Sequence, residues 1–155
     1  DPDRRDWPQD PAWEPLKTLK GLHVSTHFFI RRNGEVIQYV PTVKRAWHAG
    51  LSNFRGRNAC NDFSVGIELE GTGEVPFTAV QYQALGELLP AICRRHPVKW
   101  VTGHEFIAPG RKSDPGPFFD WGRTAQLLPA GVALAIDETD CDREALARRM
   151  AEHSN

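Results

Sequence analysis

The sequence lacks a membrane-spanning apolar run, a paired cysteine motif and a strong net charge. A helix needs about 20 consecutive apolar residues to cross a bilayer. Without such a run, or a charged-then-apolar leader, we expect a soluble protein with no membrane partner. The formal charge of -1 provides little attraction for a polyanion, so we expect no nucleic-acid partner. Three cysteines without paired spacing predict free thiols and a cytoplasmic location.

The remaining composition is that of an ordinary globular protein. Apolar residues make up 40% and charged residues 25% of the 155 positions. A chain of this length buries roughly two-thirds of its unfolded surface around one core. We therefore expect a single domain over residues 1–155, present as a monomer. Residues 1–20 are rich in proline, charge and tryptophan without periodicity, which predicts an irregular arm.

Residues 102–121 combine reactive side chains with turn-forming residues. The prolines on either side of Gly116 exclude a helix and favour an extended backbone. Side chains alternate along such a backbone, so Lys112 and Asp114 should point to one side and Arg111 to the other. With His104 on the preceding turn, these groups suit a metal ion and a developing negative charge. Taken alone, the Lys112 and Asp114 pair is more typical of a solvated surface and His104 of a packed or hydrogen-bonded histidine, but the combination on a stiff loop favours a functional site.

Two segments around an asparagine-glycine turn predict a β-hairpin. Residues 23–31 and 35–40 are rich in β-branched and aromatic residues, and Asn33 and Gly34 form the turn between them. His27 shares a face with apolar neighbours in the first strand. We predict a structural, hydrogen-bonded role for this histidine.

Residues 63–70 alternate between apolar and polar side chains without exception, which predicts a central strand. Gly66 and Glu68 lie on its polar face. A glycine at this place indicates that another group approaches the face closely. A solvated face is the alternative explanation for Glu68 and Glu70.

The second half of the sequence predicts mainly helices. Residues 78–95 form an amphipathic pattern with Thr78 as N-cap, and Pro90 predicts a kink or break. The predicted buried stripe contains Val80, Leu85, Leu88, Leu89 and Ile92. Further elements are a short buried strand over residues 99–102, a helix over 118–128 and a charged helical tail over 143–153.

An indole and an imidazole precede a polar loop. Either Trp47 covers the edge of the core while His48 is solvated, or the two rings form a stacking wall for a ligand. Residues 51–62 follow as a loop with Arg55 and Arg57, long enough to bind a ligand.

Four motifs together resemble a known family. They are WHAG (47–50), CNDFSVGIELEG (60–71), TGH (102–104) and IAPGRKSDPGPFFDW (107–121). They resemble the zinc-dependent N-acetylmuramoyl-L-alanine amidases, in particular the cytoplasmic type that acts on 1,6-anhydro-muramyl peptides in peptidoglycan recycling. The resemblance implies an α/β fold with a mixed β-sheet flanked by helices, as in phage lysozyme-type amidases and peptidoglycan recognition proteins. It also implies a catalytic core over residues 21–128 and leaves the tail, residues 129–155, without a counterpart.

The resemblance implies a role for each reactive residue. His104 and Asp114 would be ligands of one Zn²⁺ per site, Glu68 the catalytic carboxylate, and Lys112 the group that stabilises the oxyanion. The bond cut would be the amide between the lactyl group of (1,6-anhydro-)N-acetylmuramic acid and L-alanine of the stem peptide.

The third zinc ligand of the family is a histidine at the end of an N-terminal apolar strand that this sequence does not contain. We expect this ligand N-terminal to the chain, with His23, His27 and His48 as alternatives. A site with two ligands should bind zinc weakly.

The substrate-binding residues depart from the family, because two arginines of the family are replaced by His23 and Ala59. Arg55 and Arg57 are the nearby substitutes, and Trp47 is the expected stacking residue.

Two other functions compete with the amidase hypothesis. The first is a peptidoglycan-fragment-binding protein of the same fold that has lost catalysis. The second is a glycosidase that uses Glu68 and Glu70, whose carboxyl groups on one strand would lie roughly 7 Å apart. The latter leaves His104, Lys112 and Asp114 without a role.

Overall fold

A hairpin and one parallel strand form the main sheet of the computed structural model, which describes residues 26–153. In chain order the strands are β1 (Phe28–Ile30), β2 (Val36–Gln38), β3 (Asn53–Phe54), β4 (Arg57–Asn58), β5 (Ile67–Leu69), β6 (Trp100–Val101) and β7 (Ala133–Leu134). The helices are α1 (Ala79–Arg95), α2 (His104–Ile107), α3 (Trp121–Ala125) and α4 (Arg143–His153). The predicted arm over residues 1–20 and the start of the first predicted strand lie outside the described residues.

The main sheet is mixed, as expected. β1 pairs antiparallel with β2 and parallel with β5, which gives the order β2-β1-β5. The backbone N–H of Glu35 donates to Asn33 Oδ1 at 2.9 Å and closes the turn of the hairpin. The hairpin prediction is therefore confirmed for the residues described.

β5 is shorter than the alternating pattern and lies at a sheet edge within residues 26–153. The pattern extends over residues 63–70, but only Ile67–Leu69 pair with β1. The prediction of a central strand is thus wrong for the described residues, because alternation reports which face is apolar and not how many neighbours a strand has.

Helix α1 begins and ends where its sequence predicts. Thr78 accepts from the backbone N–H of Gln81, and the Gln81 side chain accepts from the N–H of Thr78, which completes a capping box. The helix is continuous through Pro90, so the predicted break does not occur. Val80 was predicted to be buried but is 42% exposed. It lies in the first turn against Gly34, while Gln81 and Tyr82 occupy the buried positions.

The core lies between α1 and the sheet. Its buried members are Phe28, Ile30, Tyr82, Ala84, Leu85, Leu88, Leu89, Ile92 and Phe119. Gln81 is buried with them, and its amide donates to the carbonyls of Ile30 at 3.2 Å and Glu70 at 3.0 Å. Each large apolar side chain contributes about 1.5–3 kcal/mol through burial. The helix is thereby fixed over β1 and β5.

A second, parallel strand pair connects the middle of the chain to its C-terminal part. β6 pairs with β7, and the Thr102 hydroxyl donates to the Ala135 carbonyl at 2.6 Å. The predicted strand is confirmed, but it is not buried, because Trp100 is 39% exposed. Helix α3 is shorter than its predicted range of 118–128, whereas α4 matches its predicted range of 143–153.

The three cysteines of the sequence are free thiols, and burial raises the pKa of Cys60, Cys93 and Cys141. Within the described part of the chain, no helix combines the length and apolar character that crossing a bilayer requires.

Candidate active site

His104 is the first residue of α2 and enters the site directly after β6. Its Nε2 lies 2.8 Å from the carbonyl oxygen of Ala49, and its Nδ1 lies 3.3 Å from Asp114 Oδ2. A carbonyl oxygen can only accept, so Nε2 is the donor in this contact. The Nδ1 side of the imidazole therefore faces the carboxylate of Asp114.

The proline-rich loop brings Asp114 to this position. The backbone N–H of Glu105 donates to the Asp114 carbonyl at 2.9 Å, and the N–H of Gly116 donates to Glu105 Oε2 at 3.2 Å. These bonds tie the loop to α2 beside His104. The hydrogen bond to His104 is the largest influence that lowers the pKa of Asp114; burial opposes it, and the charges of His104 and Lys112 assist. The carboxylate is thus held in its charged form.

Aromatic contacts hold the far end of the same loop. The ring centroids of Phe119 and Trp121 lie 4.7 Å apart, and those of Phe106 and Trp121 lie 5.9 Å apart. The backbone N–H of Asp120 donates to the Tyr82 hydroxyl at 2.8 Å. The loop is consequently anchored both to α2 and to α1, which limits its freedom to move away from the site.

Glu68 belongs to the same site. It lies in β5, its side chain is open to solvent, and its pKa is nevertheless raised, first by burial and then by the charge of Asp114. His104 and Lys112 act in the opposite direction. The Glu68 carboxyl is therefore reached by solvent on one side and shielded by protein on the other, close enough to Asp114, His104 and Lys112 to feel their charges. The structure therefore brings Glu68, His104, Lys112 and Asp114 together, as the sequence predicted; their individual roles remain predictions.

Gly66 allows two histidines to pack behind the site. A Cβ at this position would lie 2.5 Å from Cγ of His48, so only a glycine admits the imidazole. The N–H of Gly66 donates to Nδ1 of His27 at 3.0 Å, and Nε2 of His27 therefore donates to the Lys44 carbonyl at 2.7 Å. The structural, hydrogen-bonded role predicted for His27 is confirmed. Since both ring nitrogens are engaged, this histidine is a poor metal ligand.

His48 is a half-buried histidine. Burial and the nearby His27 and His104 lower its pKa to about 4, while a bond to the Ser64 backbone opposes the shift. Its Nε2 also lies 3.3 Å from the Ser64 hydroxyl, which itself donates to the Cys60 carbonyl at 2.5 Å. The imidazole is therefore neutral at pH 7.

Two side chains of the site have the chemistry of metal ligands. His104 Nδ1 and Asp114 Oδ2 converge at 3.3 Å, and a nitrogen and a carboxylate oxygen are ligand types that suit Zn²⁺. Among residues 26–153, no group of three histidine, cysteine or acidic side chains forms a metal site. Of the three expected ligands, the described residues contain the adjacent pair His104 and Asp114, and their role as ligands stays a prediction.

The three predicted substrate-binding residues lie on the surface around the β3–β4 hairpin and the segment before it. Arg55 donates from Nη2 and Nε to Asp140 Oδ1 at 2.8 Å and 2.9 Å and lies 3.9 Å over the Trp100 ring. The guanidinium of Arg57 lies 3.8 Å over the Phe63 ring, and Trp47 is exposed. Arg55 is therefore engaged with the C-terminal segment, whereas Arg57 and Trp47 present surface to solvent.

Sequence reasoning missed two residues that shape the backbone next to His104. Arg111 donates from Nη2 to the carbonyl of Ala49 at 2.6 Å, and Asn61 Oδ1 accepts from the N–H groups of His48 and Ala49 at 3.0 Å and 2.8 Å. These contacts connect positions far apart in the chain. No local pattern could have revealed them.

Comparison with known proteins places this geometry in a family. Residues 1–117 match the family model described as N-acetylmuramoyl-L-alanine amidase. The chain is 55% identical over 122 residues to the 1,6-anhydro-N-acetylmuramyl-L-alanine amidase AmpD of Citrobacter freundii, a match that covers 77% of this chain and 65% of that protein. It is 53% identical over 122 residues to AmpD of Escherichia coli K12, covering 77% and 67%. The chain spans about two thirds of the length of these relatives.

Solved structures agree with the fold. The crystal structure of an AmpD selenomethionine derivative has a TM-score of 0.68 at 51% identity, covering 77% of this chain and 69% of that chain. AmiD from E. coli, in complex with the substrate anhydro-N-acetylmuramic acid-L-Ala-D-gamma-Glu-L-Lys, has a TM-score of 0.66 at 38% identity, covering 81% and 55%. The expected α/β amidase fold is confirmed. With a family model that matches well over half of its residues, the chain belongs to the N-acetylmuramoyl-L-alanine amidase family.

Proposed function

We propose that the chain hydrolyses the amide bond between the lactyl group of (1,6-anhydro-)N-acetylmuramic acid and L-alanine of the stem peptide. The observation that supports this most is the 3.3 Å contact of His104 with Asp114, beside which Glu68 and Lys112 lie close enough to influence the same charges. The family relationship and the muramyl peptide bound to AmiD support the same substrate class. The proposal extends to a role in peptidoglycan recycling, in the cytoplasm, for a monomer without a nucleic-acid or membrane partner.

His104 and Asp114 would hold a single zinc ion, with the third ligand a histidine from outside residues 26–153. When bound, zinc supplies an electrophilic centre that polarises the scissile carbonyl and lowers the pKa of water to about 7. The two side chains fit this role because one offers an imidazole nitrogen and the other a carboxylate whose pKa is lowered. The unit that carries out the reaction would be residues 21–128, with residues 129–155 as a tail.

Glu68 would move the protons of the reaction. Its pKa is raised by burial and by Asp114, which brings the carboxylate closer to the strength of base that operates well near neutral pH. It would take a proton from the attacking water and return it to the leaving nitrogen of L-alanine. Such proton transfer contributes about 10²–10⁴-fold to the rate.

Lys112 would stabilise the negative charge that forms on the carbonyl oxygen. Its charge lowers the pKa of both Glu68 and Asp114, which supports a position of the ammonium group beside these two carboxylates. Removing one donor to an oxyanion costs about 10²–10³-fold in turnover. Arg57 and Trp47 would contact the substrate, and Arg55 would do so only if Asp140 released it.

The proposal is tested by metal content and turnover together. The 155-residue chain would be compared with the same chain extended at its N terminus to supply the third histidine. We expect about one zinc per molecule in the extended form and weaker binding in the shorter form, because each missing ligand lowers affinity. Chelation should abolish release of the peptide from anhydro-muramyl-tripeptide, and added zinc should restore it. Full turnover in excess chelator would exclude a metal from the reaction.

A second candidate function is binding of peptidoglycan fragments without hydrolysis. It is favoured by the two-ligand donor set, since residues 26–153 contain no group of three metal-binding side chains. Tight binding of the tripeptide by the zinc-loaded extended protein, with no peptide released, would select this function. The glycosidase alternative is weakened because Glu70 Oε1 accepts from the backbone N–H of Arg32 at 2.9 Å and so supports the hairpin.

A further inference from the structure

We propose that Arg111 is a positioning residue for His104, which it orients by holding the carbonyl group of Ala49. This inference rests on the proposed function in one respect, because it assigns His104 as a metal ligand. Arg111 itself does not touch the metal position or the substrate in this proposal. It acts through one peptide group of the main chain.

The contacts converge on a single oxygen atom. The Ala49 carbonyl accepts from Nε2 of His104 at 2.8 Å and from Nη2 of Arg111 at 2.6 Å. A carbonyl oxygen has two lone pairs, so the two donors together use its full capacity. The direction of the Ala49 carbonyl therefore depends on Arg111, and the direction of the imidazole depends on the carbonyl.

Arg111 holds this peptide with a rigid fork. Its Nη2 and Nε also donate to the carbonyl of Leu51, at 2.8 Å and 3.2 Å. The guanidinium thereby binds two carbonyls, one on either side of Gly50. A lysine ammonium lacks the planar arrangement of donors that this double contact requires. Asn61 Oδ1 accepts from the N–H of Ala49 at 2.8 Å, so the segment is held from both sides.

Gly50 leaves the space that this fork occupies. Its φ is +62°, and a Cβ there would lie 2.9 Å from Nη2 and 3.2 Å from Nη1 of Arg111. Glycine adopts this backbone conformation readily and adds no atom against the guanidinium. Because glycine is conformationally free, the peptide group between Ala49 and Gly50 could rotate if Arg111 were absent. The hydrogen bond from Arg111 therefore fixes the orientation of this peptide group.

The consequence concerns which imidazole nitrogen is available. With Nε2 donating to Ala49, Nδ1 is the nitrogen that faces Asp114 at 3.3 Å. Outer hydrogen bonds of this kind select the tautomer and the ring orientation of a histidine ligand, and their loss typically lowers metal affinity about 10–100-fold. Arg111 would set this orientation before a metal arrives.

The test compares Arg111→Met, Arg111→Lys and the control Arg123→Met in the full chain. Arg123 is a suitable control because its guanidinium lies 4.7 Å over the Tyr82 ring, on helix α3. The first readout is the tautomer of His104, from ¹⁵N chemical shifts of the metal-free protein at a pH where the imidazole is neutral. The second is zinc affinity, from competition with a chromophoric chelator.

We expect wild type and Arg123→Met to show His104 protonated at Nε2. Arg111→Met should show a mixture of tautomers and a zinc affinity about 10-fold lower. Arg111→Lys should fall between them, because an ammonium can hold one carbonyl but not both in the same plane. An unchanged tautomer together with unchanged zinc affinity in folded Arg111→Met would overturn the proposal.

Gly50→Ala provides an independent test if Arg111→Met does not fold. This variant keeps the arginine but places a methyl group against its fork, so both readouts should change in the same direction. A folded Gly50→Ala variant with wild-type tautomer and affinity would also overturn the proposal. Wild-type protein that binds no zinc in either length, yet shows the tautomer change in Arg111→Met, would refute the proposed function and leave the positioning role intact.

Discussion

Two charged regions of the molecule differ in how many hydrogen bonds their carboxylates accept and in how far these carboxylates are exposed to solvent. The open site consists of Glu68, His104, Lys112 and Asp114, and the closed contact consists of Arg55, Trp100 and Asp140. The Asp114 side chain is 65% exposed and shares one 3.3 Å contact with His104. Asp140 is buried; its Oδ1 accepts twice from Arg55 at 2.8 Å and 2.9 Å, and its Oδ2 accepts from the Asp137 N–H at 3.0 Å.

The difference separates a stabilising carboxylate from a reactive one. A charge can be buried only when hydrogen bonds and an opposite charge replace its water, and Asp140 meets that condition. Its oxygens are therefore used in holding the turn Glu138–Asp140 to the β3–β4 hairpin. Asp114 keeps its access to solvent and thus to a ligand. Substitutions in the open site should alter chemistry, whereas those in the closed contact should alter stability.

The largest effect is expected at Glu68. Glu68→Gln should lower turnover by about 10³-fold, because the amide can neither take nor return a proton. Stability at pH 7 should not fall, since the raised pKa means that the folded state disfavours the charged carboxylate. Peptide release and urea unfolding of the same preparation measure both quantities. Unchanged turnover would remove Glu68 from the chemistry.

The next effect is a pH dependence of the free energy of unfolding, which originates from His48. The pKa of His48 is about 4 when folded and 6.5 when unfolded, so the unfolded chain binds more protons between these values. Stability should therefore be complete above pH 6.5 and fall by about 3 kcal/mol as the pH decreases towards 4. In His48→Gln, the free energy of unfolding should lack this decrease between pH 6.5 and pH 4. Chemical unfolding of metal-free protein at intervals of pH measures the difference, and parallel curves for the two proteins would contradict it.

A smaller effect is expected in the closed contact. Asp140→Ala should lower the free energy of unfolding by about 2 kcal/mol, because hydrogen bonds to a charged group are lost while the half-exposed Arg55 regains water. Asp140→Asn, which keeps the shape and one acceptor, should lose less. Turnover per folded molecule at saturating substrate should stay near wild type in both, although the KM can change because Asp140→Ala releases Arg55. A loss of turnover without a loss of stability would reverse the assignment of the two regions.

The smallest effect on stability is expected at Asp114. Asp114→Asn should change the free energy of unfolding by no more than about 0.5 kcal/mol, as for other exposed charge pairs, although it should abolish tight zinc binding. The pKa of Asp114 is lowered, so its small stabilisation is present above the unfolded pKa and is lost as the pH falls through the folded pKa. Equilibrium unfolding of wild type and Asp114→Asn at pH 7 and pH 3 measures whether the difference in their free energies of unfolding decreases at low pH, as expected. A large destabilisation would indicate a structural carboxylate like Asp140.

Local features of the sequence were sufficient to predict most of the helices. Thr78 and Gln81 form a capping box that fixes the start of α1, and α4 occupies its predicted range because its charged, amphipathic pattern continues without interruption. The same spacing argument placed Lys112 and Asp114 on one side of the loop. Both residues influence the pKa of Glu68, Asp114 upwards and Lys112 downwards, and their orientation on one side of the loop stays a prediction.

Long-range pairing could not be predicted in the same way. The parallel register of β1 with β5, and of β6 with β7, depends on contacts between segments far apart in the chain, which no local pattern encodes. Arg55 illustrates the difficulty, because its loop suggested a substrate contact while its partner Asp140 lies 85 positions away. Charge and exposure alone do not distinguish these two uses of an arginine.

Gly66 limits how the site can be re-engineered. Its missing side chain is the space that the His48 ring occupies, and a Cβ would come within 2.5 Å of that ring. A combinatorial library aimed at new substrates should therefore hold this position fixed, since even an alanine methyl would dislodge the imidazole. Variation is better directed to the exposed side chains of Trp47 and Arg57, which we propose as substrate contacts, because solvent can accommodate new shapes there.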